Sequence, residues 1–447
     1  MSRISFRLFG YCMIVLTAAS CSVRKAVSMQ ATVNVGDSVA AVLITSKALA
    51  AAHVGICLYD PAEKTYLYNY QSDKYFIPAS NTKIITCYAA MKYLGDSLPG
   101  LHYTTKGDTV FIIPTGDPTL LHRDFAIQPV FSFLSSADSN KTICINTGNF
   151  RETAWGTGWS WDDYIDDYMA ERSAMPVYGN YITIEGNAQQ WSVFPSLKGK
   201  FTDIPPTDSI STVKRDIGSN TFTVSLNSST SYKNDIPFYT DSSKTTIALL
   251  QQLLKPKLVL QTMLYQAKDL ANYKTIYSGP TDSMLKIMMH RSDNFFAEQS
   301  LLMVSHTILG VMNDTMVIDT LLKKELNAFP QQPQWVDGSG LSRYNLFTPQ
   351  DFVYVLDKMN NEFSWGRISD IFPTGGRGTL SNRYANFDGK IFAKTGTLSN
   401  NIALSGYLIT EKNKKLIFSI LVSNHNSNAT TIRDLIEQYL SAIISRY

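Results

Sequence analysis

One six-residue stretch, Pro78-Ala79-Ser80-Asn81-Thr82-Lys83, constrains this chain more than any other. An apolar-rich run from Ile84 to Leu94 follows it and ends at Gly95, which predicts a helix whose first turn carries the stretch. Because residues i and i+3 share one face of a helix, Ser80 and Lys83 should point the same way. A serine at a helix N-terminus, with an amine one turn away and free backbone N–H groups beside it, has what a nucleophile needs.

Ser-x-x-Lys alone is weak evidence, because a capping serine and a solvated lysine produce it easily. Two further motifs strengthen the assignment of Ser80. Ser292-Asp293-Asn294 lies between two predicted helices, and Lys394-Thr395-Gly396-Thr397 precedes a predicted hairpin. The order Ser-x-x-Lys, Ser-x-Asn and Lys-Thr-Gly belongs to a known acyl-transfer mechanism. The first spacing recurs at three other places: Ser22–Lys25, Ser211–Lys214 and Ser283–Lys286.

Composition and charge exclude several classes of function. The chain has 447 residues, 44% hydrophobic and 17% charged, which argues against disorder and allows two or three domains. The net charge of +3 falls to +1 (38 basic minus 37 acidic residues) without Arg3 and Arg7 of a predicted leader, so no nucleic-acid partner is expected. The six histidines are scattered without metal-ligand spacing, so we expect no metal and no other cofactor.

The N-terminus has the pattern of an export signal over residues 1–21. Arg3 and Arg7 precede an apolar run from Leu8 to Ala19 that is too short to span a membrane. The small residues before Cys21 resemble a bacterial lipoprotein cleavage box, although the usual leucine three positions earlier is absent. Lipidation of Cys21, simple secretion and an uncleaved anchor are the alternatives, and we expect a periplasmic protein of the bacterial cell envelope. The cysteines that remain do not make a disulfide framework: Cys57, Cys87 and Cys144.

The hydrophobic pattern divides the chain into two kinds of sequence. Helix and hairpin patterns fill residues 36–97 and 261–447, whereas residues 98–260 contain short strand-like runs between turn residues. We therefore predict an α/β (α+β) catalytic domain made from two separated segments, with one or two β-rich modules inserted at 98–260. The elements predicted for the catalytic part are helices at 36–52, 282–290, 294–309, 351–359 and 430–444, and hairpins at 54–59 with 65–70 and 401–410 with 415–423.

With these motifs in place, the chain resembles the penicillin-recognising serine enzymes. More narrowly, it resembles the D-alanyl-D-alanine carboxypeptidase/endopeptidase family of low-molecular-mass class C penicillin-binding proteins, peptidase family S13. Ser292 follows Lys83 by 209 residues, and this family carries large inserted domains between these two motifs. The likeness runs from about residue 36 to the C-terminus. Four further strings are similar to the family's own: Gly116–Leu120, Gly158–Asp163, Asp337–Ser342 and Lys394–Leu398.

The resemblance implies a serine β-lactamase/DD-transpeptidase-like fold, an antiparallel sheet flanked by helices. It implies D-Ala-D-Ala carboxypeptidase activity through an acyl-enzyme on Ser80, with endopeptidase action on cross-links as an additional activity. Lys83 would be the base, Ser292 would relay a proton to the leaving amine, and Asn294 would bind the substrate amide. Peptidoglycan stem peptides are the implied partners, and β-lactams the implied acylating inhibitors.

The resemblance also implies roles for the residues of the strand that carries Lys394. Lys394 and Thr395, with Thr397, would bind the terminal carboxylate of the substrate. Gly396, having no side chain, would leave room for the substrate backbone. The backbone N–H groups of Ser80 and Thr397 would form the oxyanion hole.

Alternative interpretations remain for the function and for single motifs. A β-lactamase of the same superfamily would share the same residues, and a non-catalytic envelope protein that binds peptidoglycan would share the fold. Lys394 could be an ordinary charge on an edge strand. The tryptophans of Gly158–Asp163 could be core aromatics, and Asp337–Gly340 could be a simple turn. Gly375–Gly378 is predicted to be a tight loop at the rim of the site, where Arg377 could contact substrate carboxylates.

Overall fold

A computed structural model describes residues 39–205, 210–228, 230–264 and 267–447. The predicted signal segment, residues 1–21, and Cys21 lie outside the described residues. Within them, no helix has the length and apolar character needed to cross a bilayer. The cysteines Cys57, Cys87 and Cys144 are buried free thiols.

The described chain contains sixteen strands and ten α-helices. The strands are β1 (His53–Asp60), β2 (Thr65–Tyr70), β3 (Ser97–Lys106), β4 (Thr109–Pro114), β5 (Thr142–Asn146), β6 (Tyr181–Gly186), β7 (Trp191–Phe194), β8 (Lys200–Asp203), β9 (Thr212–Arg215), β10 (Thr221–Ser225), β11 (Tyr232–Pro237), β12 (Lys257–Gln261), β13 (Lys274–Pro280), β14 (Ile391–Leu398), β15 (Asn401–Ile409) and β16 (Lys415–Ser423). The helices are α1 (Ala41–Ile44), α2 (Lys83–Tyr93), α3 (Pro129–Ser135), α4 (Lys244–Gln251), α5 (Thr281–Arg291), α6 (Asn294–Leu309), α7 (Asp314–Lys323), α8 (Pro349–Glu362), α9 (Trp365–Ile371) and α10 (Ala429–Arg446).

The catalytic part is built on a five-stranded antiparallel sheet in the order β14-β15-β16-β1-β2, here called the central sheet. Both predicted hairpins are confirmed, and β1 pairs with β16, so Ile56 lies opposite Ile420. The strands nearest the two ends of the described chain are therefore neighbours. As predicted, β14, which carries the Lys-Thr-Gly motif, is an edge strand.

Helices cover both faces of the central sheet, which explains why β15 and β16 are buried almost throughout. Alternate residues of a strand point to opposite faces. Leu404 belongs to the core under α10, whereas its neighbour Ala403 belongs to the core shared with α2, α5, α6 and α8. The resulting helix–sheet–helix sandwich confirms the predicted fold class.

The helix predicted over residues 36–52 is mostly wrong. Within the described residues only α1 and a 3-10 turn, Lys47–Leu49, are helical there. Ser46 separates them: its backbone is extended, and its side chain accepts a hydrogen bond from Ala48 N at 3.3 Å. A serine that caps a new turn competes with continuation of the helix, and the apolar spacing alone did not reveal this.

Residues 98–260, predicted to be an insert and here called the inserted part, are rich in short strands. A mixed sheet in the order β12-β5-β4-β3-β13 packs with two three-stranded sheets, β11-β6-β7 and β8-β10-β9, around one hydrophobic core. The division at residues 98 and 260 remains a prediction. Because β13 pairs with β3, we propose that the second boundary lies nearer residue 280 than residue 260.

Candidate active site

The Ser80 stretch forms a turn that leads directly into α2. Residues Ala79–Thr82 form a 3-10 turn, and Lys83 is the first residue of the helix. Lys83 Nζ lies 3.0 Å from Ser80 Oγ, so the two side chains meet as the spacing predicts. Ala79 has a φ of 48°, a left-handed conformation that is rare outside glycine and that often occurs at functional sites.

Lys83 is fully buried, and its amine contacts three oxygens. Besides Ser80 Oγ, it donates to Asn294 Oδ1 at 2.6 Å and to the carbonyl oxygen of Ser339 at 2.8 Å. Burial lowers the pKa of Lys83 to about 8, against the opposing effect of nearby acids, of which Asp337 is the strongest. Roughly a tenth of the amine is therefore neutral at pH 7 and about half at pH 8, and this neutral form can accept a proton from Ser80.

A second buried lysine, Lys394 on β14, lies on the other side of the site. Its amine donates to Ser292 Oγ at 2.8 Å and to the Thr395 carbonyl oxygen at 2.7 Å. Burial, and then the charge of Lys83, lowers the pKa of Lys394 well below its ordinary value. Burial is the cause that favours neutral Lys83, since Asp337, Glu298 and Asp293 all raise its pKa. Since Lys394 is buried and contacts Ser292, it is not an ordinary edge-strand charge.

The Ser-Asp-Asn segment joins α5 to α6 and aims its two outer residues at the two lysines. Ser292 ends α5 in a left-handed conformation with a φ of 61°. Asp293 caps α6, its side chain accepting a hydrogen bond from Phe296 N at 2.9 Å. This tight change of direction sends Ser292 towards Lys394 and Asn294 towards Lys83.

Close backbone contact explains the glycine of the Lys-Thr-Gly motif. A Cβ on Gly396 would lie 2.6 Å from the carbonyl oxygen of Pro78, so the missing side chain lets β14 pack against the nucleophile turn. Asn81 reinforces this contact in the amide orientation that satisfies both of its side-chain atoms. Its nitrogen then donates to the Lys394 carbonyl oxygen at 2.7 Å, and its oxygen accepts from Ser405 Oγ at 2.7 Å. The predicted role of Gly396 towards substrate remains a proposal.

The Asp337–Ser342 string is a turn that supports Lys83. Both carboxylate oxygens of Asp337 accept backbone hydrogen bonds, from Gly340 N at 2.8 Å and Ser342 N at 2.6 Å. Gly340 has a φ of +81°, and a Cβ there would lie 1.9 Å from the Ala79 carbonyl oxygen. The turn therefore packs against the nucleophile turn and presents the Ser339 carbonyl to Lys83.

A cleft of about 580 Å³ opens above these groups. Four of the predicted site residues line it, namely Ser80, Ser292, Asn294 and Thr397, while Lys83 and Lys394 are buried beneath. Thr395 is half-buried on β14. The three motifs thus converge on one cleft as two hydrogen-bonded pairs, Lys83 with Ser80 and Lys394 with Ser292. Among the described residues, no cluster of His, Cys, Asp and Glu could hold a metal ion.

Comparison with known proteins identifies the family. The model of the D-Ala-D-Ala carboxypeptidase 3 (S13) family matches residues 35–443. The chain belongs to this family. It is 24% identical over 440 residues to D-alanyl-D-alanine carboxypeptidase DacB of Haemophilus influenzae, covering 89% of each chain. It is 22% identical to penicillin-sensitive carboxypeptidase A of Dictyostelium discoideum, covering 85% of this chain and 84% of that protein.

The fold agrees with the same family. The crystal structure of penicillin binding protein 4 (dacB) from Haemophilus influenzae matches with a TM-score of 0.74 at 20% identity, covering 89% of this chain and 97% of that one. The structure of that protein complexed with a β-lactam matches with a TM-score of 0.67. The serine-enzyme fold predicted from the motifs is thereby confirmed.

The S13 site also contains residues that the motif analysis did not assign. Ser160, Asp163 and Tyr168 line the cleft from the inserted part, and Arg343 lines it from the catalytic part. Ser160 and Asp163 belong to the Gly158–Asp163 string, which resembles the family's own sequence. Its tryptophans, however, also allowed the interpretation that the string packs in a hydrophobic core. Nothing in the local sequence of Tyr168 or Arg343 distinguished them.

Neither tryptophan of that string is a core residue of the insert. Trp159 Nε1 donates to Asp337 Oδ2 at 2.9 Å, which ties the insert to the turn that supports Lys83. Trp161 is 75% exposed.

Arg377 does not line the active-site cleft of this S13 enzyme. Its guanidinium pairs with Asp388 at 3.2 Å on an exposed surface. The adjoining residue Gly378 instead borders a second cleft, next to Thr395 and Thr397. The predicted tight loop is present, and its Arg377 lies outside the lining of the active-site cleft.

Proposed function

We propose that this S13 member is a serine-type D-Ala-D-Ala carboxypeptidase that acts on peptidoglycan stem peptides through an acyl-enzyme on Ser80, with endopeptidase action on cross-links as a second activity. One observation carries the proposal: the buried amine of Lys83 lies 3.0 Å from Ser80 Oγ. A neutral amine at that distance is a competent general base.

In the acylation step, Ser80 Oγ attacks the carbonyl carbon of the D-Ala-D-Ala bond while its proton passes to Lys83 Nζ. The oxyanion that forms is bound by the backbone N–H groups of Ser80 and Thr397. Asn294 holds Lys83 in place through its 2.6 Å hydrogen bond and binds the substrate amide with the rest of its side chain.

Collapse of the intermediate requires a proton on the leaving amine. Ser292 relays the proton that Lys83 took from Ser80: it gives its own hydroxyl proton to the leaving amine and takes that one in exchange, so Lys83 is neutral again. Lys394, which donates to Ser292 Oγ at 2.8 Å, holds this hydroxyl at the cleft. Lys394, Thr395 and Thr397 bind the terminal carboxylate. A water molecule then cleaves the acyl-enzyme ester, and Ser80 regains its proton. A β-lactam acylates Ser80 in the same way, but its tethered leaving group stays in the site and hydrolysis is slow.

The test is the intact mass of the protein after brief exposure to benzylpenicillin, with Ser80→Ala as the control and release of D-alanine from a D-Ala-D-Ala peptide as the activity assay. We expect a stable adduct on the wild type, none on Ser80→Ala, and D-alanine release that only the wild type supports. Rapid drug hydrolysis without a lasting adduct would instead indicate a β-lactamase. Neither adduct nor hydrolysis would indicate a non-catalytic peptidoglycan-binding protein.

We also propose that the protein is exported to the periplasm of the bacterial cell envelope and anchored by lipid on Cys21. The support is the basic and apolar pattern of residues 1–20 with small residues before Cys21. Cys21→Ser should move the protein from the detergent phase to the aqueous phase in phase partitioning. If the wild type is already aqueous, simple secretion is the correct alternative.

A further inference from the structure

A second cleft, of about 330 Å³, adjoins the active-site cleft on the α10 side of β14. Thr397 lines both clefts, so they meet at the end of the Lys-Thr-Gly-Thr strand. Strand alternation explains the position: Ala393 lies in the core under α10, so Thr395 and Thr397 face the same side. The second cleft is therefore next to two groups that we propose to bind the terminal carboxylate.

Arg433 of α10 lines this cleft and has no counter-ion among the described residues. Its Nη2 donates to Thr397 Oγ1 at 3.1 Å, and no described carboxylate lies within 4.0 Å of it. The acids nearest in sequence, Asp434 and Glu437, are paired with Arg383 at 2.5 Å and 3.7 Å. Arg433 is a half-buried residue whose guanidinium thus has, among the residues that the structure describes, only a neutral hydroxyl as its partner.

An anion bound in the cleft would give Arg433 the counter-ion that it lacks among the described residues. Partial burial of an unpaired charge is unfavourable, and a carboxylate offers the two oxygens that match the fork of a guanidinium. Thr379 lines the same cleft, and its Oγ1 is buried without a hydrogen-bond partner in the described part of the chain. The cleft therefore offers a cation beside the reacting strand, and its wall contains an unpaired hydroxyl.

We propose that Arg433, together with Thr397, binds the carboxylate of the leaving group. The inference rests on the proposed function and adds a specificity residue to it. In a D-Ala-D-Ala substrate this carboxylate is on the carbon that bears the leaving amine. Fixing it at the end of β14 therefore also fixes the amine near Ser292. Arg433 makes the enzyme select leaving groups with such a carboxylate over neutral ones.

Two thioesters of one N-acylated D-alanine test this directly. One has mercaptoacetate as the leaving group and the other has mercaptoacetamide, so they differ only in the carboxylate. We expect Arg433→Gln to lower kcat/KM roughly ten- to hundredfold for the mercaptoacetate ester, the usual effect of one charge-assisted hydrogen bond, and to leave the amide ester unchanged. Arg433→Lys should restore part of the loss. Arg377→Gln, which removes an exposed arginine outside the cleft, should change neither substrate.

The outcomes separate the inference from the function on which it rests. Equal losses on both thioesters would mean that Arg433 has only a structural role. No loss on either would mean that Lys394 and the two threonines bind the carboxylate alone. Either result overturns the inference, while wild-type turnover and benzylpenicillin labelling of Ser80 would still support the proposed function. A wild type inactive towards both thioesters and towards benzylpenicillin would overturn both.

Discussion

At the scale of single residues, the site is a balance of burial and charge at Lys83. Burial favours the neutral amine, whereas Asp337, Glu298 and Asp293 favour the protonated form, and burial prevails. Glu298 also has a geometric role, since its Oε1 accepts a hydrogen bond from Ser339 N at 2.7 Å and the Ser339 carbonyl accepts one from Lys83. Burial raises the pKa of Glu298 to about 7, so its own charge changes near neutral pH.

The pH dependence of acylation should therefore respond to Glu298→Gln. The rising limb of kcat/KM follows deprotonation of Lys83, with a midpoint near its pKa of about 8. Because the charge of Glu298 raises the pKa of Lys83, removing that charge should move the limb to lower pH. The gain should be greatest between pH 7 and 8, where Glu298 is ionised in the wild type, and should vanish well below pH 7, where it is protonated.

The measurement is kcat/KM for D-alanine release from pH 5.5 to 9.5. The amide introduced by Glu298→Gln keeps an oxygen that can accept from Ser339 N, so the geometry should persist. Glu325→Gln serves as the control, because Glu325 pairs with Lys92 far along α2 and should leave the profile unchanged. An unshifted limb in Glu298→Gln would show that Glu298 does not set the protonation of Lys83.

At the scale of elements, the distance between β14 and the nucleophile turn sets the geometry of the reaction. We expect Gly396→Ala to push the strand from the turn, because its Cβ would lie 2.6 Å from Pro78 O. A shift of a few tenths of an ångström misaligns Ser80 with the carboxylate-binding groups, so acylation by benzylpenicillin should slow roughly tenfold or more. Stopped-flow acylation rates, with circular dichroism to verify folding, test this.

Gly366→Ala is the matched control for that substitution. Gly366 lies inside α9, and a Cβ there would meet nothing within 4 Å. It should leave acylation unchanged and stabilise the protein by about 0.5–1 kcal/mol, since alanine loses less backbone freedom in a helix. Equal acylation rates in Gly396→Ala and Gly366→Ala would contradict the proposed role of the contact.

The same elements show what could be predicted from sequence. Ser80 and Lys83 were placed correctly because a helix turn is a local structure, and the two hairpins because each joins neighbouring strands. The strand β13 was missed because its partner β3 is far away in sequence. Arg433 lines the second cleft and Tyr168 the active-site cleft, and both lie on elements that packing positions, so no motif marks them.

At the scale of the whole molecule, a buried ion cluster joins the inserted part to the catalytic helices. Arg172, 2% exposed, contacts Asp314 at 2.7 Å, Glu152 at 3.3 Å and Glu298 at 3.4 Å. Asp314 begins α7 and Glu298 lies in α6, whereas Arg172 and Glu152 come from the insert. Through Glu298, the cluster connects the insert to the Ser339 carbonyl that contacts Lys83.

Arg172→Met should therefore destabilise the whole protein. It leaves three buried acids without their cation, and breaking a buried pair in this way costs about 3–5 kcal/mol. Arg123→Met is the comparison, because Arg123 is half exposed and pairs with Asp235 near the surface, where such a pair contributes about 1 kcal/mol or less. Urea unfolding should show a large loss for the first variant and a small one for the second. Equal losses would mean that the cluster contributes no more than a surface ion pair, and that other contacts, such as Trp159 with Asp337, hold the insert in place.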